Sequence, residues 1–220
     1  MAKSEFPVYI EEVLRLKNQY KNQIEVLLGV ESDFFPAQLD SYQRIYQKYP
    51  FDYIIGSVHF SGKGELFQPD NKLFNKERWI GVSEQEMLQE KERYYDLIQQ
   101  SARSGIFDVL GHIDAIKGFN TAISDIYTSK VEEAIKVIAE NGVAIEVNTS
   151  AKLKDPDGWY PSDEILEMAY HYGVFITFGS DAHTPARIGD DWEAVCQRLK
   201  SIGFDKMVYF QQRQRVEVEI

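Results

Sequence analysis

The chain has 220 residues, of which 44% are hydrophobic and 27% are charged, and its formal net charge at pH 7 is -11. These values suit one globular α/β domain with a substantial core, and so acidic a chain argues against a nucleic-acid-binding surface. No run approaches the roughly 18 apolar residues of a membrane span, and no apolar signal region opens the chain, so we expect a cytoplasmic protein. The single cysteine, Cys196, excludes an internal disulfide and fits a reducing compartment.

Helices and strands are predicted to alternate along the chain, from the spacing of apolar residues and the placing of glycine and proline. The predicted helices cover about residues 7–20, 38–48, 84–104, 128–141, 162–172 and 192–202. The predicted strands cover residues 24–30, 53–59, 108–111, 144–148, 174–179 and 207–210, and residues 61–83 are predicted to form a long irregular loop. This alternation predicts a parallel sheet with helical crossovers.

Residue types that ligate metals stand at the ends of four predicted strands. Glu31 follows the first strand, His59 and His112 end the second and third, and Asp181 and His183 follow the fifth. A single Asp-x-His pair is most often a turn, and a single histidine is most often a hydrogen-bonded core residue. Because a barrel brings the carboxyl ends of all its strands around one mouth, the recurrence favours a metal site in a barrel. Imidazole with carboxylate suits zinc, manganese or iron better than magnesium or calcium.

A resemblance to a known family is carried by five segments in chain order and by a closing Phe210-x-x-Arg213. The segments are Gly-Val-Glu-Ser-Asp-Phe at 29–34, Asp-Tyr-Ile-Ile-Gly-Ser-Val-His at 52–59, Asp-Val-Leu-Gly-His-Ile-Asp at 108–114, Glu-Val-Asn-Thr-Ser at 146–150 and Gly-Ser-Asp-Ala-His at 179–183. They resemble successive motifs of the polymerase and histidinol phosphatase (PHP) superfamily, most closely its histidinol-phosphatase branch.

The resemblance implies a distorted seven-stranded, TIM-like (β/α) barrel that hydrolyses a small-molecule phosphate monoester, L-histidinol phosphate. It implies a cluster of two or three divalent ions, with Glu31 bridging two of them, His59 and His112 as imidazole ligands, and Asp181 and His183 completing the set. Asp181 and His183 are also expected to act in catalysis. Asp181 would help to hold the ions that activate water, and either His183 or another metal ion would assist the leaving alkoxide.

Substrate contacts are expected from loops that follow the strands. Lysines and arginines in these loops bind phosphate in the family, so Lys117, Lys152 and Lys154 are candidates, although loop lysines are usually only solvated. Glu146 and Asn148 share one face of the fourth strand, and either supports the site or is structural. Asp114 either orients a ligand imidazole or serves a helix start.

One departure from the family pattern is large. Family members begin with a strand ending in His-x-His, which supplies two ligands, whereas the first histidine of this chain is His59. We therefore expect one domain over residues 1–220 that lacks the N-terminal strand of the barrel and has low or no phosphatase activity. The gap is expected to be closed by a homodimer or by the N-terminal helix region. Two alternatives remain: a phosphoesterase for phosphotyrosine or a nucleotide, and a non-catalytic remnant.

Overall fold

The computed structural model describes residues 5–61, 72–73, 76–118, 121–153 and 158–220. Within these ranges it has six α-helices, α1 to α6 in chain order: Phe6–Tyr20, Leu39–Tyr46, Glu84–Arg103, Lys130–Asn141, Asp163–Tyr172 and Trp192–Ile202. Its strands, β1 to β7, are Gly29–Asp33, Tyr53–Ser57, Val109–Leu110, Ala144–Asn148, Ile176–Gly179, Lys206–Gln211 and Gln214–Glu219. Most of the predicted loop at 61–83 lies outside the described residues. No described helix is long and apolar enough to cross a membrane.

The first five strands form a parallel sheet in the order β1-β2-β3-β4-β5, which confirms the predicted alternation of strands and crossover helices. Strand β4, which has a neighbour on each side, is buried at all five positions, as expected for a parallel strand with both faces covered. One face packs on helices, where Tyr94 and Ile98 of α3 are fully buried. On the other face Val208 and Phe210 of β6 pack against Val109 and Ala144. The fold is therefore α/β, and in the described residues no ladder closes it into a barrel.

Two strand predictions need correction. The first strand begins at Gly29 rather than at residue 24, because its ladder starts where Gly29 pairs with Tyr53. Glu31 therefore lies in the middle of β1 instead of after it. Strand β7, which pairs antiparallel with β6, was not predicted from the sequence. Its residues are mostly polar and exposed, so β7 carries too little apolar alternation to be recognised.

A carboxylate precedes each of β2 and β3 at its amino end, the buried Asp52 and the largely buried Asp108. Asp52 accepts hydrogen bonds from the Lys17 ammonium at 2.6 Å, the Leu28 N–H at 2.8 Å and the Gln212 N–H at 3.1 Å. Arg213, in the turn between β6 and β7, pairs with Asp108 and donates to the Ile106 carbonyl at 2.6 Å. The closing Phe-x-x-Arg motif thus docks the hairpin under the sheet, and the carboxyl ends of the strands stay open.

The outer edge of β1 faces the N-terminal helix. The Tyr9 hydroxyl of α1 donates a 2.6 Å hydrogen bond to the Gly29 carbonyl, and Ile10 of the same helix is buried in the core. Within the described ranges no strand pairs with this edge. Helix α1 therefore covers the start of the edge, and closure by a second copy stays a prediction.

Candidate metal centre

Three side chains converge at the carboxyl end of the sheet. The Nε2 atoms of His59 and His112 are 3.1 Å apart, and Glu31 Oε1 lies 3.2 Å from the His112 nitrogen and 3.6 Å from the His59 nitrogen. Atoms at these separations share a centre about 2 Å from each, which is the bond length of zinc to imidazole nitrogen or carboxylate oxygen. The donor set and its spacing therefore fit one transition-metal ion.

The sheet register brings these groups together. Glu31 pairs with Ile55 across the β1–β2 ladder, and Ile55 pairs with Val109 across the β2–β3 ladder. His59 and His112 each follow their strand by two residues, so both rings stand above the sheet next to the Glu31 carboxylate. His112 has a φ of +28°, a left-handed backbone that few non-glycine residues adopt. The turn after β3 therefore aims the ring at its neighbours.

Glu31 and His112 also shift each other's pKa. Burial raises the pKa of the Glu31 carboxyl, but hydrogen bonds from His112 and Ser57 and the imidazole charges outweigh it and lower this pKa to about 2. Burial lowers the pKa of His112, but the Glu31 hydrogen bond and the charges of Glu146, Glu31 and Asp181 outweigh it and raise this pKa. Glu31 is thus a carboxylate at any ordinary pH, and a proton competes with a cation for His112.

Two further acidic residues contact the two histidines, Asp33 at a ring and Glu146 at the backbone. The Asp33 carboxylate lies against Nδ1 of His59. Glu146 Oε2 accepts a 3.2 Å hydrogen bond from the backbone N–H of His112 and a 3.0 Å bond from the Asn148 side-chain amide. A carboxylate at a ring nitrogen, as Asp33 is for His59, orients a ligand imidazole in metal sites, whereas Glu146 holds the backbone of His112. Asp33 was not predicted as a site residue, although its spacing of two from Glu31 on one strand places both on the same face.

Comparison with known proteins identifies the family. The sequence profile described as the PHP domain matches residues 4–150, about two thirds of the chain. The chain belongs to the PHP domain family. A "Probable histidinol-phosphatase" of Deinococcus radiodurans is 29% identical over 204 residues, which cover 92% of this chain and 75% of that protein. The histidinol-phosphatase of Bacillus subtilis is 30% identical over 213 residues, with 90% of this chain and 78% of that protein covered.

A solved structure shares this PHP fold. The histidinol phosphate phosphatase of Lactococcus lactis, crystallised with zinc, L-histidinol and phosphate, superposes with a TM-score of 0.71 at 20% identity. The match covers 96% of this chain and 79% of that one. At this identity the likeness establishes the fold, which confirms the PHP architecture expected from the sequence motifs.

Asp181 and His183, the remaining expected PHP ligands, follow β5 at the same mouth. Asp181 has a φ of +47° and lines a cavity of about 400 Å³ together with Glu31 and Glu146. The His183 side chain is 87% exposed, and its Nδ1 lies 2.9 Å from the Asp181 carbonyl oxygen. Neither belongs to the close group of three donors found among the described residues. Their metal and catalytic roles stay predictions.

Of the four predicted substrate contacts, Lys117 and Asn148 have side chains that the structure describes, and both are bonded to other protein groups. The Lys117 ammonium donates to the Trp159 carbonyl at 2.8 Å and pairs with the Asp114 carboxylate at 2.7 Å. The Lys152 side chain and the whole of Lys154 lie outside the described residues. Asn148 is buried, and its amide serves Glu146. Phosphate contact by these residues remains a prediction, and for Lys117 it requires exchange of an existing ion pair.

Asp114 has the structural role that the sequence left open. Besides pairing with Lys117, its Oδ2 accepts a 2.8 Å hydrogen bond from the N–H of Ser162, the residue that precedes α5. Asp114 therefore joins the turn after β3 to the start of α5.

Proposed function

We propose that this chain is a metal-dependent phosphatase that hydrolyses L-histidinol phosphate to L-histidinol and phosphate. The observation that carries the proposal is the group of Glu31, His59 and His112, whose donor atoms are spaced for one transition-metal ion. Membership of the PHP family and the relatives named histidinol-phosphatase support the same reaction.

The site residues fit the demands of this reaction. Phosphate monoester hydrolysis is among the slowest uncatalysed reactions, so the enzyme must concentrate positive charge at the phosphoryl group. Zinc, manganese or iron, when bound, supplies that charge and lowers the pKa of the attacking water. Glu31, His59 and His112 would hold one such ion. Asp181 and His183 are proposed to complete a cluster of two or three ions, with His183 assisting the leaving alkoxide.

The carboxylates that line the cavity at the carboxyl end of the sheet suit the cationic groups of the proposed substrate. L-histidinol phosphate carries an amine and an imidazole as well as its phosphate. Glu31, Glu146 and Asp181 line one cavity, and their carboxylates favour cationic groups over a second anion. Lys152 and Lys154, and Lys117 after exchange of its ion pair, are proposed to contact the phosphate.

We further propose that the protein acts in the cytoplasm on a small molecule and not on nucleic acid. The net charge of -11 argues against nucleic acid as a partner, because no excess of basic residues is available for phosphate backbones.

A homodimer paired along the outer edge of β1 is proposed as the assembly, because an unpaired strand edge favours association. Light scattering at several protein concentrations tests the dimer, and a monomer at all of them contradicts it.

The reaction is tested by phosphate release from L-histidinol phosphate, phosphotyrosine and a nucleotide monophosphate, with chelator-treated protein to which zinc or manganese is added back. We expect metal-dependent hydrolysis of L-histidinol phosphate above the other two. His112→Ala should abolish it, whereas His171→Ala, which removes an exposed histidine on α5, should leave it unchanged. Preference for another phosphate would overturn the substrate. Metal binding without any hydrolysis would indicate the non-catalytic alternative.

A further inference from the structure

Glu146 is a buried carboxylate between two ligand-bearing turns. It lies on β4, between the strand that precedes His112 and the strand that precedes Asp181, and only 6% of its surface is exposed. It is not one of the three donors that come together within metal-binding distance. Any contribution of Glu146 to that group is therefore made through another residue.

The residue it acts on is His112. The φ of +28° at His112 is unfavourable for a side chain with a Cβ atom, so neighbouring groups must hold this backbone in place. Glu146 Oε2 accepts from the His112 N–H at 3.2 Å, and the buried Tyr94 hydroxyl lies 3.3 Å from the His112 carbonyl oxygen. The two contacts fix the peptide units on both sides of the ring that points at Glu31 and His59.

Room for the Glu146 carboxylate comes from Gly179. A Cβ atom at position 179 would lie 1.9 Å from Glu146 Oε1 and 2.7 Å from its carboxyl carbon, and all three of its nearest neighbours would be Glu146 atoms. Any larger residue at 179 therefore pushes Glu146 away from His112. The glycine that opens the Gly-Ser-Asp-Ala-His segment is thus coupled to a ligand on a different strand.

We propose that Glu146 is a positioning residue of the metal centre, which holds His112 in its left-handed backbone so that Nε2 meets Glu31 and His59. Gly179 is required because the carboxylate occupies the space of its Cβ atom. This inference rests on the metal site of the proposed function and not on the hydrolysis itself.

The test measures zinc affinity by competition with a chromogenic chelator, and ligand geometry by the visible absorption of the cobalt-substituted protein. Glu146→Ala should weaken zinc binding about 10- to 100-fold, the usual effect of losing such a partner, and should alter the cobalt spectrum. Glu146→Gln should stay within about threefold of the wild-type affinity, because its amide oxygen still accepts from the His112 N–H. Glu140→Ala, at an exposed position of α4, is the control.

A double-mutant cycle tests the coupling to Gly179. Gly179→Ala alone should weaken zinc binding, but added to Glu146→Ala it should cost nothing further, because the carboxylate it collides with is gone. Wild-type affinity and an unchanged cobalt spectrum in Glu146→Ala, or a Gln variant as weak as the Ala variant, would overturn the proposal. If Glu146→Ala does not fold, the Gln and Gly179 variants decide. A wild-type protein that binds zinc but hydrolyses nothing contradicts only the proposed function.

Discussion

The carboxylate of Asp33 lies against Nδ1 of His59, while Nε2 of the same ring faces His112 and Glu31. A carboxylate at one ring nitrogen keeps the proton there and leaves the lone pair of the other nitrogen for a metal ion. Asp33 and Glu31 are two residues apart on β1, so one strand supplies both a metal ligand and the partner that orients a second ligand.

Replacing Asp33 should therefore weaken metal binding without touching a proposed ligand. We expect Asp33→Ala to lower zinc affinity about 10- to 100-fold and Asp33→Asn to have a smaller effect, because the amide oxygen still accepts from Nδ1–H. Zinc titration against a competing chelator measures both. Asp205→Ala, at an exposed position, is the control. Equal affinities in all three variants would show that the Asp33–His59 contact does not orient the ring.

Metal binding should depend on pH through His112. The pKa of His112 is raised, since the Glu31 hydrogen bond and three nearby carboxylates outweigh its burial, and its proton must leave before Nε2 binds a cation. Zinc affinity should therefore fall as the pH is lowered from about 8 to 6, across the ordinary histidine range. Calorimetry in buffers of different ionisation enthalpy counts the proton released. Affinity that stays constant over this range would contradict the raised pKa.

The raised pKa of His112 has the opposite effect on the stability of the metal-free protein, which should decrease as the pH rises. A raised pKa in the folded state means that protonated His112 stabilises the fold below the ordinary histidine pKa. This contribution is lost as the pH rises through the folded value. Urea unfolding of chelator-treated wild type and His112→Ala should therefore show a stability difference that shifts in favour of the variant towards alkaline pH. A difference that does not change with pH would refute this account.

Asp52 should make the protein sensitive to acid. Burial raises the pKa of this carboxyl, but the Lys17 ammonium and the N–H groups of Leu28 and Gln212 outweigh it and lower the pKa. The ionised form therefore stabilises the fold above the unfolded value of about 3.9, and this is lost as the pH falls through the lower folded value. Asp52→Asn should cost about 2 kcal/mol at pH 7 and less in acid, measured by urea unfolding. Glu140→Gln, at an exposed position, should cost little at either pH.

Arg213 makes its contacts at the amino end of the sheet, opposite the candidate metal centre. Its guanidinium pairs with Asp108 and reaches the Ile106 carbonyl, below the strands and away from the metal centre. Arg213→Ala should lower the free energy of unfolding by about 2 kcal/mol, since it leaves a largely buried carboxylate unpaired. Zinc affinity of the folded variant should equal that of the wild type. A clear loss of zinc affinity would mean that the hairpin also positions the site.

Much of the fold and the centre of the site could be predicted from the sequence. Alternating apolar patterns predicted the parallel sheet, and His59 and His112 were recognised because the carboxyl ends of parallel strands meet at one edge. Glu31 lies beside the two histidines even though its strand was predicted to begin a few residues early, because both placements put it near that edge. These inferences need only periodicity and chain order, which are local properties.

The tertiary structure decided the direction and partner of each side chain. The His183 ring lies in solvent and the Lys117 ammonium pairs with Asp114, and neither placement could be predicted from the sequence. Glu146 accepts a hydrogen bond from His112, which is 34 residues away in the sequence. Its carboxylate also fills the space beside Gly179, which is 33 residues away. Such contacts depend on the packing of neighbouring strands, so a one-dimensional pattern predicts which edge a residue reaches but not what it touches there.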